Sequence, residues 1–147
     1  MNGRKRHVLV DTGGLVLRVV VHPANVTDRD GARLLLADAP IRWPSLQRLW
    51  VDAGYTGRLL TWIREELGLR VDIVKRPSRW VRTPVDQEPD PLPVGFPVLP
   101  RRWVVERTFG WLGRSRRLSK DYEALPATEE AWVYLAMSRL MLARLAR

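Results

Sequence analysis

Apolar and polar residues alternate almost from the first position of the chain. His7, Leu9 and Asp11 alternate with Arg6, Val8 and Val10, which predicts a strand over residues 5–11. Thr12-Gly13-Gly14 reads as a turn, and the Val-rich run from Leu15 to His22 predicts a second strand that Pro23 ends. Two such runs with a short Gly-containing connection form a hairpin. Thr27 or Asp28 can cap a helix running to about Ala39, and residues 40–44, bounded by Pro40 and Pro44, read as a break. Residues 46–53 predict a strand that becomes apolar at its end. Gly54-Tyr55-Thr56-Gly57 then turns the chain into a helix over residues 58–67, with Gly68 as its C-cap. Residues 71–75 predict one more strand, stopped by Pro77.

A hairpin followed by alternating helices and strands predicts an α/β fold with a mixed sheet. Residues 77–100 break the pattern and hold seven of the 11 prolines. They read as an irregular insertion inside one domain spanning 1–147, because a strong helical pattern follows at once over 101–118. A last helix is expected over 128–146, with Thr128 as N-cap and Glu129 and Glu130 suiting the positive end of its dipole. No internal repeat is present.

Composition narrows the function classes. The 147 residues are 46% apolar, enough for a packed core, and include no cysteine. That excludes a disulfide scaffold, a thiolate zinc site and a cysteine nucleophile. Two histidines, His7 and His22, cannot build a histidine-rich metal cage, and both read as satisfied structural residues. No secretory signal is apparent, and the apolar run over 131–146 is too short to span a bilayer and is interrupted by Arg139 and Arg144. The expected setting is cytoplasmic, with no membrane partner.

The formal net charge is +9, and 22 of the 25 basic residues are Arg. The excess is concentrated in residues 101–121. There Arg101, Arg102, Arg107, Arg114, Arg116, Arg117 and Lys120 face only Glu106 and Asp121, a net of +5. A single basic run is usually a solvated helix face. Guanidinium-rich composition on this scale suits bidentate contact with phosphate and points to nucleic acid.

Two carboxylates are placed to carry chemistry. Asp52 sits at the carboxyl end of a hydrophobic strand just before a glycine turn, the edge where ligands gather in open α/β sheets, although it could equally cap the next helix. Glu106 lies inside the amphipathic helix, and the i,i+4 spacing puts Arg102 on its face. That pair can be a surface ion pair worth ~0.3–0.5 kcal/mol, or a metal-binding carboxylate in a basic wall facing phosphate. Carboxylates and phosphates suit Mg²⁺, and two such ions would clamp an in-line phosphoryl transfer. Asp11 reads as a turn residue, and Asp28 and Asp30 as helix-start residues.

Several segments in order carry a family resemblance: residues 3–12, 23–32, Trp50-Val-Asp-Ala-Gly-Tyr-Thr-Gly57, 99–112 and 116–123. Together the chain resembles bacterial insertion-sequence transposases of the DDE class, group five of the IS4-like superfamily. The resemblance implies an RNase H-like fold and three metal-binding acids that support DNA strand cleavage and transfer with Mg²⁺ or Mn²⁺. Asp52 matches the second acid, Glu106 the third, and Arg102 the arginine four residues before that glutamate. Lys120 falls in the basic tail. Leu99 stands where some relatives have tyrosine. The first acid belongs to a strand upstream of Gly3, normally central in the sheet, so the resemblance implies an N-terminally truncated catalytic domain whose loss of that strand leaves ladder partners missing on both sides.

Three functions fit these readings. One is a transposase catalytic fragment, inactive alone. Another is a non-enzymatic DNA-binding remnant or regulator of a full-length transposase. The last, a metal-dependent nuclease, is disfavoured by the absent first acid. The expected partners are double-stranded DNA, as transposon ends and target, and another transposase chain. The expected DNA contacts are Arg102, Arg107, Arg114, Arg116, Arg117 and Lys120, on a nucleoid-associated protein.

Overall fold

The structure is a computed structural model and describes residues 3–74 and 101–146. The Pro-rich stretch expected to be an irregular insertion over 77–100 lies outside the described residues. The first two strands, β1 (Arg4–Val10) and β2 (Val16–Pro23), form the expected antiparallel hairpin, with a register shift between Leu9 and Val10. Asp11 holds the turn as its position suggested. Its Oδ1 accepts from the backbone N–H of Gly13 and of Leu15, each at 2.8 Å. Gly14 has φ +80°, a conformation that favours glycine.

The outer edge of β2 is closed by side chains in place of another strand. Helix α5 (Pro126–Leu145) lies along it. The Val19 N–H donates to the Tyr134 hydroxyl at 3.1 Å, and the Val21 N–H to Glu130 Oε1 at 2.7 Å. Beneath these bonds Val133 and Met137 pack with Val19, Val21, Leu112 and Leu118. Buried Glu129, in the first turn of α5, pairs with Arg6, and Arg4 lies 4.0 Å away. The helix starts at Pro126, not at Thr128. Proline at its first position has no N–H to leave unpaired, so Leu125 takes the cap position.

The remaining elements make a second layer. Thr27 caps α1 (Asp28–Leu36), accepting from the Asp30 N–H at 3.3 Å. The helix stops at Leu36, and a separate short helix α2 (Ala39–Arg42) occupies part of the expected break, with Pro40 tolerated in its first turn. β3 (Arg48–Asp52), α3 (Arg58–Glu65) and β4 (Arg70–Val74) follow, and β3 and β4 pair in parallel. Gly68 follows α3 with φ +65°, in keeping with its reading as the stop signal. The buried side chains Ala32, Leu35 and Leu36 of α1 join Leu9 of the hairpin to Leu49, Leu59, Ile63 and Val71.

The described strands do not form the single mixed sheet that the pattern predicted. They form two separate two-stranded sheets, β1–β2 and β3–β4. The α1 core, not a hydrogen-bonded ladder, joins them.

The helix expected over 101–118 is shorter. α4 (Arg102–Gly113) ends at Gly113, and Arg116–Leu118 form a separate 3-10 turn. Fully buried Thr108 seats α4 on the hairpin turn. Its Oγ1 lies 2.6 Å from the Gly14 carbonyl oxygen and 3.0 Å from that of Val104. Arg107 adds a bond from its Nη2 to the Gly13 carbonyl at 2.7 Å. Thr108→Val keeps the volume and removes the hydroxyl, leaving a buried carbonyl short of a donor. Chemical denaturation should show a loss of about 1–3 kcal/mol. An unchanged midpoint would mean that α4 is held by other contacts.

Candidate active site

Asp52 is the last residue of β3, and the chain turns sharply after it. The Tyr55 N–H donates to the Asp52 carbonyl at 3.0 Å, and Gly57, with φ +69°, leads into α3. Glu106 projects from the second turn of α4, whose position is fixed by Thr108 and Arg107. Both carboxylate residues are exposed, and both line one cavity of 320 Å³, with His7, Trp50, Tyr55 and Arg101 among its other walls. The structure therefore brings Asp52 and Glu106 from distant parts of the chain to one site.

The cavity has an unusual boundary. Arg6, His7, Val8 and Leu9 line it consecutively, as do Leu49, Trp50, Val51 and Asp52. Successive residues on a strand point to opposite faces, so a cavity lined by consecutive residues runs along the strand edge. A second cavity of 450 Å³ continues along Val8–Thr12 and Arg48–Trp50, sharing Leu9 and Leu49 with the first. The two make one slot between the edges of β1 and β3 that no described strand occupies. Arg101 overhangs it in the left-handed conformation (φ 71°), its guanidinium 4.7 Å from the Trp50 ring centroid.

The basic residues divide into two groups. Arg107 turns inward. It lies between the rings of Trp103 (4.3 Å) and Trp111 (4.7 Å) and bonds the Gly13 carbonyl, so it locks α4 onto the hairpin. Arg114, Arg116, Arg117 and Lys120 are exposed beyond the end of α4. Arg117 also meets Glu123 at 2.9 Å and stacks over Trp132 at 5.3 Å. The side chain of Arg102, expected to pair with Glu106, lies outside what the structure describes.

The histidines are not isolated, as the sequence suggested. His7 and His22 stack with centroids 4.7 Å apart, and His7 Nδ1 lies 2.9 Å from the Tyr55 hydroxyl. Their cross-strand meeting needs the hairpin register, which composition does not carry. In the sequence Tyr55 is simply part of the Gly-Tyr-Thr-Gly turn, with nothing local to mark this partner. Among the described residues no three His, Asp or Glu side chains gather as a metal cluster. Two carboxylates at one cavity fit part of a hard-cation site, because Mg²⁺ can be held by one or two carboxylates and water.

The family signature described as Transposase DDE domain matches residues 1–141. The chain belongs to the DDE transposase domain family. A protein of Burkholderia cepacia named as a transposase for insertion sequence element IS402 is 29% identical over 128 residues, covering 82% of this chain. The chain spans about half (54%) of that relative's length. No solved structure matches. Transposases act on DNA, and the DDE family generally uses divalent metal ions. Among the described residues of this transposase domain, no helix is long and apolar enough to cross a membrane.

Burial, then the neighbouring His22 charge, lowers the pKa of His7 below its ordinary value of 6.5, with Lys5 adding to this and Asp28 opposing it. The unfolded chain therefore takes up a proton on His7 before the folded domain does. Its contribution is complete above pH 6.5 and is lost as the pH falls below that value. The urea midpoint should drop between pH 7 and pH 5. A midpoint that stays level or rises would contradict a neutral, buried His7.

Proposed function

We propose that this chain is the C-terminal portion of a group-five insertion-sequence transposase catalytic domain, RNase H-like in its complete form, for metal-dependent DNA strand cleavage and transfer. The observation that supports this best is the shared cavity of Asp52 and Glu106 at the end of the slot between β1 and β3. A strand in that slot would join the two small sheets into one, in the order β2–β1–strand–β3–β4. An acid on that strand would enter beside the two already there. The strand is not among the described residues, and the relative, of whose length the chain spans 54%, leaves room for it in a longer polypeptide. Without it the chain is inactive.

Asp52 and Glu106 are the residues that would hold Mg²⁺ or Mn²⁺. Once bound, the ion would polarise the scissile phosphate and lower the pKa of the attacking oxygen. Exposed Arg114, Arg116, Arg117 and Lys120 supply sequence-independent contacts to the phosphates of transposon-end and target DNA, joined by Arg102 in this reading. The bond from Arg107 to Gly13 gives that residue a structural duty first. The exposed basic cluster also supports a second reading, a DNA-binding regulator of a full-length transposase, since it needs neither acid.

Residues 1–147 should leave DNA carrying the element's ends uncut in Mg²⁺ or Mn²⁺, and a chain extended to supply the missing strand should cleave it. Robust cleavage by residues 1–147, abolished by Glu106→Gln, would overturn the need for a third acid. DNA affinity should fall linearly on logarithmic axes with rising salt, as counterion release requires. A salt-insensitive affinity, or a strong preference for one duplex sequence, would remove the basic cluster from the interface.

A further inference from the structure

Asp52 and Tyr55 open and close one tight turn, through the bond from the Tyr55 N–H to the Asp52 carbonyl at 3.0 Å. Wherever Tyr55 is held, the Asp52 backbone follows. The turn itself is exposed at Asp52, Ala53 and Gly54, and within it the Gly54 N–H reaches Asp52 Oδ1 only at 3.4 Å. Its firm point is the Tyr55 ring, which packs against the α1 core and lies edge-on to His7, with centroids 6.0 Å apart at 71°. The Tyr55 hydroxyl reaches His7 Nδ1 at 2.9 Å.

His7 is an anchor that cannot shift. It is buried on β1 and stacked on buried His22, the two planes 24° apart. Both imidazoles rest on Gly31 of α1. A Cβ at that position would lie 2.4 Å from His22 Nε2 and 2.6 Å from His7 Nε2. Packing on three elements therefore fixes the imidazole. Burial, then the Asp28 and Asp52 charges, pushes the Tyr55 phenol up to about 12, so its hydroxyl keeps its proton at neutral pH.

We propose that Tyr55 and His7 are positioning residues for the Asp52 carboxylate. Their hydrogen bond spans from β1 to the turn after β3 and sets where Asp52 stands at the slot, opposite Glu106. The proposal rests on the reading of Asp52 as a metal-binding group. It assigns the Tyr55 hydroxyl a duty beyond filling the core. The ring alone would fill the core, whereas the hydroxyl fixes a distance, and small misplacements of a reacting group are costly.

The test uses the full chain and removes only the oxygen, with Tyr55→Phe. Two readouts are followed by nuclear magnetic resonance. Backbone order parameters for residues 53–56 should fall from the rigid range toward the flexible one, with α5 unchanged and the thermal midpoint shifted little. Line broadening of the Asp52 amide by added Mn²⁺, which registers weak binding, should require about three- to tenfold more metal. His7→Phe keeps an aromatic ring and removes the acceptor. Combined with Tyr55→Phe, it should add no further loss, because both changes break one bond. Asp52→Ala is the reference. If Asp52→Ala leaves the Mn²⁺ response unchanged, the metal reading of Asp52 fails, and this proposal fails with it. If Asp52→Ala weakens the response and Tyr55→Phe does not, the metal reading stands and the positioning role is overturned. Losses that simply add in the double variant would also overturn it.

Discussion

Every backbone N–H and C=O at a strand edge needs a partner or water, and this chain meets that requirement unequally on its two sides. On the outside of the hairpin, α5 supplies Tyr134 and Glu130 to the N–H groups of Val19 and Val21, so β2 needs no neighbour. On the inside, β1 and β3 face each other across a slot. The rest of the architecture follows from that inequality. Because no ladder among the described residues joins the two sheets, α1 carries the connection through Ala32, Leu35 and Leu36.

The site inherits this arrangement. Asp52 and Glu106 line one cavity at the end of the slot, and β3 and α4 are each held to the hairpin by separate devices. For α4 these are Thr108 and Arg107 on the Gly13–Gly14 turn. For the turn after β3 the device is Tyr55 on His7. Neither device is a contact of the two site carboxylates, and both acids line the cavity. The left-handed Arg101, stacked on Trp50, lines the same cavity.

The arginines show how a strong charge bias can be put to two uses. Some are consumed internally. Arg6 meets buried Glu129, Arg4 bonds the carbonyls of Glu123 and Ala124 at 2.7 Å each, and Arg107 sits in a tryptophan sandwich. Arg144 of α5 stacks on the far side of that sandwich, 4.4 Å from Trp111. The exposed remainder beyond α4 forms the surface available to a polyanion. Planar guanidinium groups suit both duties, stacking on indole rings as readily as gripping phosphate.

By itself the sequence determined the types and order of the four described strands and of α1, α3, α4 and α5, though not the short α2 or the 3-10 turn, because period-2 and period-3.6 patterns are local properties that propensity and caps enforce. It determined the Asp11 turn and the glycine stop after α3 for the same reason, and it narrowed the α1 cap to Thr27 or Asp28, of which Thr27 takes it. The ordered segments from Trp50 to Gly57 and from Leu99 to Glu123 were enough to place the chain among DDE transposases. The pattern overran the end of α4 at Gly113 and placed the start of α5 two residues late, at Thr128, although Pro126 suits a first helical position. Only the tertiary structure decided that the four described strands make two sheets with a slot between them, that Arg107 turns inward, and that His7, His22, Gly31 and Tyr55 meet. Those outcomes depend on strand register and on which helix covers which edge, contacts between residues far apart in the chain that no local periodicity encodes.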